Sequence, residues 1–331
     1  MLPENYWYVV AQSRELRKGK PLALRRFGQE LVMWRDEQGR AQAMLDSCPH
    51  RNAKLSLGRV RGNEIECPYH GFRFDGSGTC TRAPCEGEGA HLAHLRNESF
   101  SLREEHDFIW MWHGDEAPSL DPLPWFNELR GELAFSELHD DWSTSYQRAV
   151  ESQLDWAHLP FVHRNSIGIG FAHELEVVSE QDGDTIYTWP KHMEREDGTP
   201  SFYLRFAFPN VWMNPAGPKS YIFLAFAPID DENTRIYVRT YQYMVKAPLL
   251  RHLYAWVVGA ANRFIIGQDR RVVESQPPEV ATLARREKLV PADLPIAQFR
   301  KRLRQRSRSR PTELVPVEAL SRRLDPKDNV A

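Results

Sequence analysis

Four residues early in the chain combine soft sulfur donors with imidazole: Cys48 and His50 in the stretch CPHR, and Cys67 and His70 in CPYHG, with sixteen residues between His50 and Cys67. Thiolate and imidazole together can hold zinc or an iron–sulfur cluster. Zinc sites tend to take two cysteines from one knuckle and two histidines from the next, whereas here each knuckle supplies one of each. A second group lies in ESQLDWAHLPFVH, residues 151–163, which brings Asp155, His158 and His163 close together in sequence. On an unbroken helix His158 and His163 would lie about 140° apart, too far round to share a ligand comfortably. Pro160 stands between them. It cannot donate to the preceding turn, so the helix is expected to end near His158, with His163 swinging back on the following turn. Asp155 and His158 then share one face of the helix before the break.

These residues need elements to hold them. Residues 1–117 read as short alternating strands (YWYVVA, PLALRRF, QELVMWRD, AQAMLDS, EIECPYH, FSLREEHDFIWMWHG) separated by the turn signals EQGR, RGN and DGSG. This pattern predicts an antiparallel β-domain. Each Cys/His pair follows a strand, so two loops at one end of that domain can pinch a single site. The stretch PSLDPLPWF, residues 118–126, carries three prolines and reads as a linker. A second domain, residues 118–331, is expected to hold a helix from about 143 to 158 and a twisted antiparallel sheet with one face covered. A long amphipathic helix is expected from about 248 to 278. The fold class is therefore α+β.

Composition sets outer bounds. The 331 residues are 41% hydrophobic and 27% charged with a formal net charge of −2, which gives no overall pull toward nucleic acid or a membrane surface. The opening MLPENYWYVVAQSREL has no signal-peptide pattern and no apolar run suits a bilayer, so a cytoplasmic protein is expected. Four cysteines in so long a chain make no disulfide framework. Cys80 and Cys85 lie outside both knuckles and read as structural.

Mixed knuckles allow two cysteines to hold one iron of a [2Fe-2S] pair and two histidines the other, which is the Rieske arrangement. At these residues the chain resembles the oxygenase (alpha) component of the Rieske non-haem iron oxygenases: C-x-H, sixteen residues, C-x-x-H, Arg51 after the first histidine, and CPYHG followed by Phe72. The resemblance implies a Rieske cluster on Cys48, His50, Cys67 and His70, and a catalytic domain of helix-grip-like build. It also implies mononuclear Fe(II) on a 2-His-1-carboxylate triad that leaves positions open for O₂ and substrate. The family's helix runs Glu-Asn-x-x-Asp-x-x-His, four residues, His, which maps onto Glu151, Asp155, His158 and His163. Ser152 departs from it where asparagine is usual. The third ligand points to Asp269 in GQDRRVVESQ, with Glu274 competing and an ordinary solvated charge as the bland reading. Asp155 is implied to bridge to the cluster histidine matching His70 in a neighbouring subunit, hence a head-to-tail homotrimer. The simpler alternative is that it orients His158. Either way, Asp155→Asn should spare metal binding and damage turnover.

No GxGxxG follows a strand, so electrons from NAD(P)H must arrive through a separate flavin reductase, directly or by a ferredoxin. The implied activity is O₂-dependent attack on a cyclic or aromatic small molecule. The small homotrimeric members suggest monooxygenation (hydroxylation, or O- or N-demethylation) rather than cis-dihydroxylation. Phe206, Trp212, Asn214 and Phe223, with Phe208 and Met213, are candidate pocket residues whose plain alternative is sheet core. The run FRKRLRQRSRSR, holding seven basic residues, is either a docking patch for an acidic electron donor or a solvated helix end. No aromatic residues beyond Phe299 are interleaved with it, which argues against nucleic acid. Two other classes stay in view: a zinc-stabilised binding module, and a Rieske electron carrier without catalysis.

Overall fold

The computed structural model describes residues 2–307 apart from 88, 132–133, 218–219, 244, 246–247 and 278–286. Ten short strands come first: β1 (Tyr6–Gln12), β2 (Leu22–Arg26), β3 (Gln29–Arg35), β4 (Ala41–Leu45), β5 (Arg59–Arg61), β6 (Glu64–Glu66), β7 (Arg73–Phe74), β8 (Cys80–Arg82), β9 (Leu102–Glu105) and β10 (Phe108–His113). They form three antiparallel sheets, ordered β1-β10-β9, β2-β3-β4 and β5-β6-β7-β8. Strand alternation decides where β1 and β10 sit. Tyr8, Val10, Ile109 and Met111 face the β2–β4 sheet, whereas Trp7, Val9, Phe108, Trp110 and Trp112 face the other way.

The second set of strands, β11 (Ala134–Trp142), β12 (Val177–Asp182), β13 (Thr185–Pro190), β14 (Leu204–Ala207), β15 (Val211–Gly217), β16 (Ser220–Pro228) and β17 (Thr234–Gln242), makes one antiparallel sheet ordered β11-β17-β16-β15-β14-β13-β12. Helices α1 (Tyr146–Leu154), α2 (Leu159–Val162), α3 (Pro248–Val273) and α4 (Leu294–Ser307) complete the fold. On one face of the sheet, Trp212, Leu224, Phe226, Ile236 and Val238 meet Ala149 and Val150 of α1, Ile266 of α3 and Phe299 of α4. On the other, Met213, Phe223, Ala225 and Tyr237 meet the outward row of β1 and β10.

Both faces are therefore covered, not one. The central strands accordingly lack a polar face: β17 is buried at every position except Arg235. Each large apolar side chain so enclosed contributes roughly 1.5–3 kcal/mol. The proline-rich stretch 118–126 is no free linker either, because Leu123 and Phe126 are buried in the same layer.

Two helix expectations are corrected. The helix expected to run to His158 ends at Leu154, where Asp155 adopts an extended conformation (φ −82°, ψ 124°) and its Oδ1 accepts the Ala157 N–H at 2.7 Å. That side-chain turn, not Pro160, breaks the helix. Pro160 lies in the first turn of α2, where its missing N–H costs nothing, so it begins a helix. The long helix stops at Val273, and its expected last residue, 278, lies outside the described residues. Pro277 follows and has no N–H with which to continue the ladder.

Candidate metal centres

The two cysteine-histidine loops have the same backbone. In each, the cysteine N–H donates to the carbonyl five residues on (Cys48 to Ala53, 2.9 Å; Cys67 to Phe72, 2.8 Å). In each, the residue four past the cysteine donates back to the cysteine carbonyl (Asn52, 2.8 Å; Gly71, 3.1 Å). Those fourth residues both take the left-handed conformation, Asn52 at φ 55° and Gly71 at φ 71°, which explains why an asparagine and a glycine stand there. The result places both thiols inside and both imidazoles toward the surface. Cys48 and Cys67 are each 2% exposed, and the rings of His50 and His70 lie 4.7 Å apart between centroids. His50 also stacks on Phe72.

Burial pushes the Cys48 thiol up to about 11, with backbone N–H groups of His50 and Arg51 pulling the other way and the adjacent Cys67 adding to the rise. Two buried neighbouring sulfurs facing two outer imidazoles suit a [2Fe-2S] cluster whose inner iron takes sulfur and outer iron nitrogen. The other cysteines stand apart. Cys80 is packed in the local core, as a structural residue would be, but Cys85 is exposed and has no core role.

His158 and His163 occupy the two ends of α2, and Asp269 comes from α3. Their ligand atoms all lie within 4.8 Å of one another. Asp269 Oδ1 stands 2.8 Å from His163 Nε2 and 3.5 Å from His158 Nε2, so both rings turn the same nitrogen toward one carboxylate. His163 and Asp269 are buried, with His158 a little more open. Two nitrogens and one oxygen converging from one side fit a divalent iron site with open positions. Glu274 is excluded from this cluster: its Oε1 instead accepts the Ser143 N–H at 2.8 Å, bracing the approach to α1.

Supporting contacts that sequence reasoning missed fix these side chains. His163 Nδ1 lies 3.0 Å from Gln268 Oε1, which also accepts from Ser166 Oγ at 2.9 Å. Since that oxygen only accepts, His163 Nδ1 carries a proton, so release of the proton that Nε2 shares with Asp269 is what frees that nitrogen for a metal. Burial lowers the His163 pKa, but the hydrogen bond and charge of Asp269, with Gln268, outweigh it and leave the value raised. Gln153 Nε2 donates to Asp269 Oδ2 at 3.3 Å, and Trp212 Nε1 donates to the Gln153 carbonyl at 2.9 Å. A signal existed for one of them, since Gln268 immediately precedes Asp269 in GQD.

Asp155 lies beside the site without a side-chain hydrogen bond to the triad. Its Oδ2 stands 3.8 Å from His158 Nδ1, which is buried and has no hydrogen-bond partner. Burial raises the Asp155 pKa above the usual carboxylate range, against the opposing pull of His158 and the Ala157 N–H. Behind α1 runs a buried ion-pair network. Glu151 accepts from Arg300 Nε and Nη2, both at 2.7 Å, and from Arg148 at 3.3 Å, while Glu287 bridges both arginines. Arg302 and Arg306 pair with Asp184. Arg300, Arg302 and Arg306 of the basic run are thus engaged within the chain, while Lys301 and Arg304 are exposed; residues 308–310 lie outside the described residues.

A cavity of about 120 Å³ opens against the triad, comparable with apolar cavities that admit one benzene-sized ring. Trp212 and Asn214 line it, together with Trp156, Leu159 and Ile222. Phe223 does not, because it pairs with Met213 on the opposite face of the sheet, one residue out of phase with Trp212 and Asn214. Phe206 has the right face but is sealed off by Phe208 and by Phe299 of α4.

Comparison with known proteins gives this arrangement a family. The Rieske [2Fe-2S] domain family matches residues 6–98. The oxygenase component of dicamba O-demethylase from Stenotrophomonas maltophilia is 38% identical over 164 residues, 48% of this chain and 47% of that protein. The vanillate O-demethylase oxygenase subunit of Pseudomonas sp. (strain HR199 / DSM 7063) is 32% identical over 199 residues, 57% of this chain and 52% of the relative. The chain thus spans about half the length of these curated relatives. Crystalline dicamba monooxygenase bound to dicamba superposes with a TM-score of 0.76 at 25% identity, over 92% of this chain and 97% of that one. No helix among the described residues is long and apolar enough to cross a membrane. With its Rieske domain, its relatives and a fold shared almost end to end, the chain belongs to the Rieske non-haem iron oxygenases, as an alpha subunit.

Proposed function

We propose that this chain is the terminal oxygenase of a Rieske system, monooxygenating a small cyclic or aromatic molecule by hydroxylation or by removal of an O- or N-methyl group. The carrying observation is the buried convergence of His158, His163 and Asp269 on the wall of an apolar cavity. In this reading residues 1–117 hold the cluster and residues 118–331 the catalytic site. When bound, a Rieske cluster on Cys48, His50, Cys67 and His70 supplies one-electron transfer, and Fe(II) on the triad supplies O₂ activation. The relatives' names, demethylase and monooxygenase, favour single-oxygen chemistry over dihydroxylation.

The chain's own residues prepare that chemistry in three ways. Gln268 and Ser166 hold His163 with Nε2 facing inward. Gln153 occupies the second oxygen of Asp269, which favours a single-oxygen ligand and leaves coordination positions open. Trp156, Leu159 and Ile222 keep water from the substrate side.

Asp155, polar and next to His158 Nδ1, is the group placed to couple the triad to a donor outside the chain, and a neighbouring subunit's cluster is the donor the reading requires. A homotrimer supplies it, and a separate reductase or ferredoxin supplies the electrons. A zinc module or a bare electron carrier would have no use for a triad beside a ring-sized cavity. Metal and sulfide analysis of the pure protein decides: the oxygenase carries about three irons and two labile sulfides per chain, the carrier about two irons, and the zinc module no sulfide. A colourless, zinc-containing protein sinks the proposal.

A further inference from the structure

The cavity beside the triad makes a chemical demand on its occupant, and this inference rests on the oxygenase reading above. Across the sheet its wall is Leu204, Trp212, Ile222 and Leu224, all apolar except for one indole N–H. That N–H is already donated to the Gln153 carbonyl. The ionisable groups in the lining are His158, His163, Asp155 and Asp269, and the neutral polar ones are the amides of Gln153, Asn214 and Asn262. The amide nitrogen of Gln153 donates to Asp269 Oδ2, and that of Asn262 to Thr240 Oγ1 at 2.7 Å.

Asn214 is different. It lies on β15 directly across from Ile222, on the cavity face, and its Oδ1 is buried without a hydrogen-bond partner. A buried amide oxygen left unpaired is unfavourable, and a donor on a bound molecule would relieve it. Trp212, two residues earlier on the same face, is tied through Gln153 to Asp269. Two residues of strand span about 7 Å, roughly the length of one substituted ring.

We propose that the cavity selects a neutral ring compound bearing a hydroxyl or N–H that donates to Asn214 Oδ1, and that this contact sets which edge of the ring faces the triad. A carboxylate against Asn214 would find no lysine or arginine among the cavity's lining residues, and two carboxylates, Asp155 and Asp269, already share that lining. Asn214 is therefore a specificity-determining residue, reading a donor and rejecting an anion.

Calorimetric binding to the iron-loaded full chain under anaerobic conditions tests this with three probes of one scaffold: p-cresol, 4-methylanisole and 4-methylbenzoate. The wild type should bind p-cresol about tenfold more tightly than 4-methylanisole, with 4-methylbenzoate weakest. Asn214→Leu should bring cresol and anisole to within about twofold by weakening cresol. Asn214→Thr, which keeps an acceptor oxygen, should retain the preference, and it guards against a fold lost in the leucine variant. Equal binding of cresol and anisole by the wild type, tighter binding of the benzoate, survival of the preference in Asn214→Leu, or no cresol binding at millimolar concentration each overturns the proposal. These constants require no turnover. The oxygenase reading fails separately, on iron and sulfide content.

Discussion

The cluster loops and the triad solve the same problem, holding metal donors at fixed positions, by opposite means. The cluster donors fall within one short span, on two copies of a single turn whose hydrogen bonds close inside each loop. Local backbone geometry places them, and the imidazole end faces outward. The triad has no such self-contained frame. Its two histidines cap a helix of four residues, and its carboxylate arrives on α3 from far along the chain. Packing between helices must bring these three together, so the triad inherits every weakness of the layer around it.

The sharpest way to break this comparison is Asp269→Ala. The two histidines face that carboxylate at 2.8 and 3.5 Å, and its loss should abolish iron binding at the triad while leaving cluster iron and sulfide in place. Iron falling by about one per chain at constant sulfide is the expected result. A parallel loss of sulfide would show that the two regions are not independent.

Next in size is the network behind α1. Glu151 is almost fully buried and accepts from Nε and Nη2 of Arg300, so Glu151→Ala removes the buried carboxylate that faces both guanidinium groups and leaves Glu287 to pair with each. Breaking one partner of such a pair costs about 3–5 kcal/mol. Urea unfolding should show that loss, accompanied by weaker iron binding at the triad and an unchanged cluster spectrum. A change below about 1 kcal/mol would mean that α4 does not support the metal helix.

Gln268→Leu acts on one ligand. Removing the acceptor for His163 Nδ1 frees the ring and its tautomer, and supporting contacts of this kind change metal affinity by about 10–100-fold. Anaerobic Co(II) titration reads it directly. An affinity within twofold of the wild type would assign the orientation of His163 to packing alone.

The same contrast explains what could be read in advance. The Rieske domain was legible because rare residue types at short spacing suffice to mark it. In the pocket, strict alternation along β15 and β16 would have separated Trp212 and Asn214 from Met213 and Phe223, since each neighbour points to the opposite face. Phe206 could not have been excluded that way, as only the tertiary placement of Phe299 covers it. Arg300 was readable in principle: Ile296, Phe299 and Leu303 make a buried helical stripe, and Arg300 falls within its spacing. Its partner Glu151 was not, because nothing local links α1 to a helix so much later in the chain. The early end of α1 depended on one side-chain turn at Asp155, a local hydrogen bond that outweighed helical spacing.

The smallest expected effect falls on the residue that departs most visibly from the family pattern. Ser152 stands where asparagine is usual, and the natural worry is that an amide needed near the metal has been lost. Its hydroxyl turns back onto its own helix, donating to the Ala149 carbonyl at 2.9 Å, a bond that contributes little to helix stability. The amide that reaches Asp269 comes from the next position, Gln153, at 3.3 Å. Ser152→Ala should therefore change unfolding free energy by no more than about 0.5 kcal/mol and Co(II) affinity by less than about twofold. Gln153→Leu, read in the same titration, should weaken binding about tenfold. Equal losses in the two variants would return the supporting role to position 152. Unequal losses in the expected order would mean that the amide has moved by one residue while the carboxylate it restrains has stayed in place.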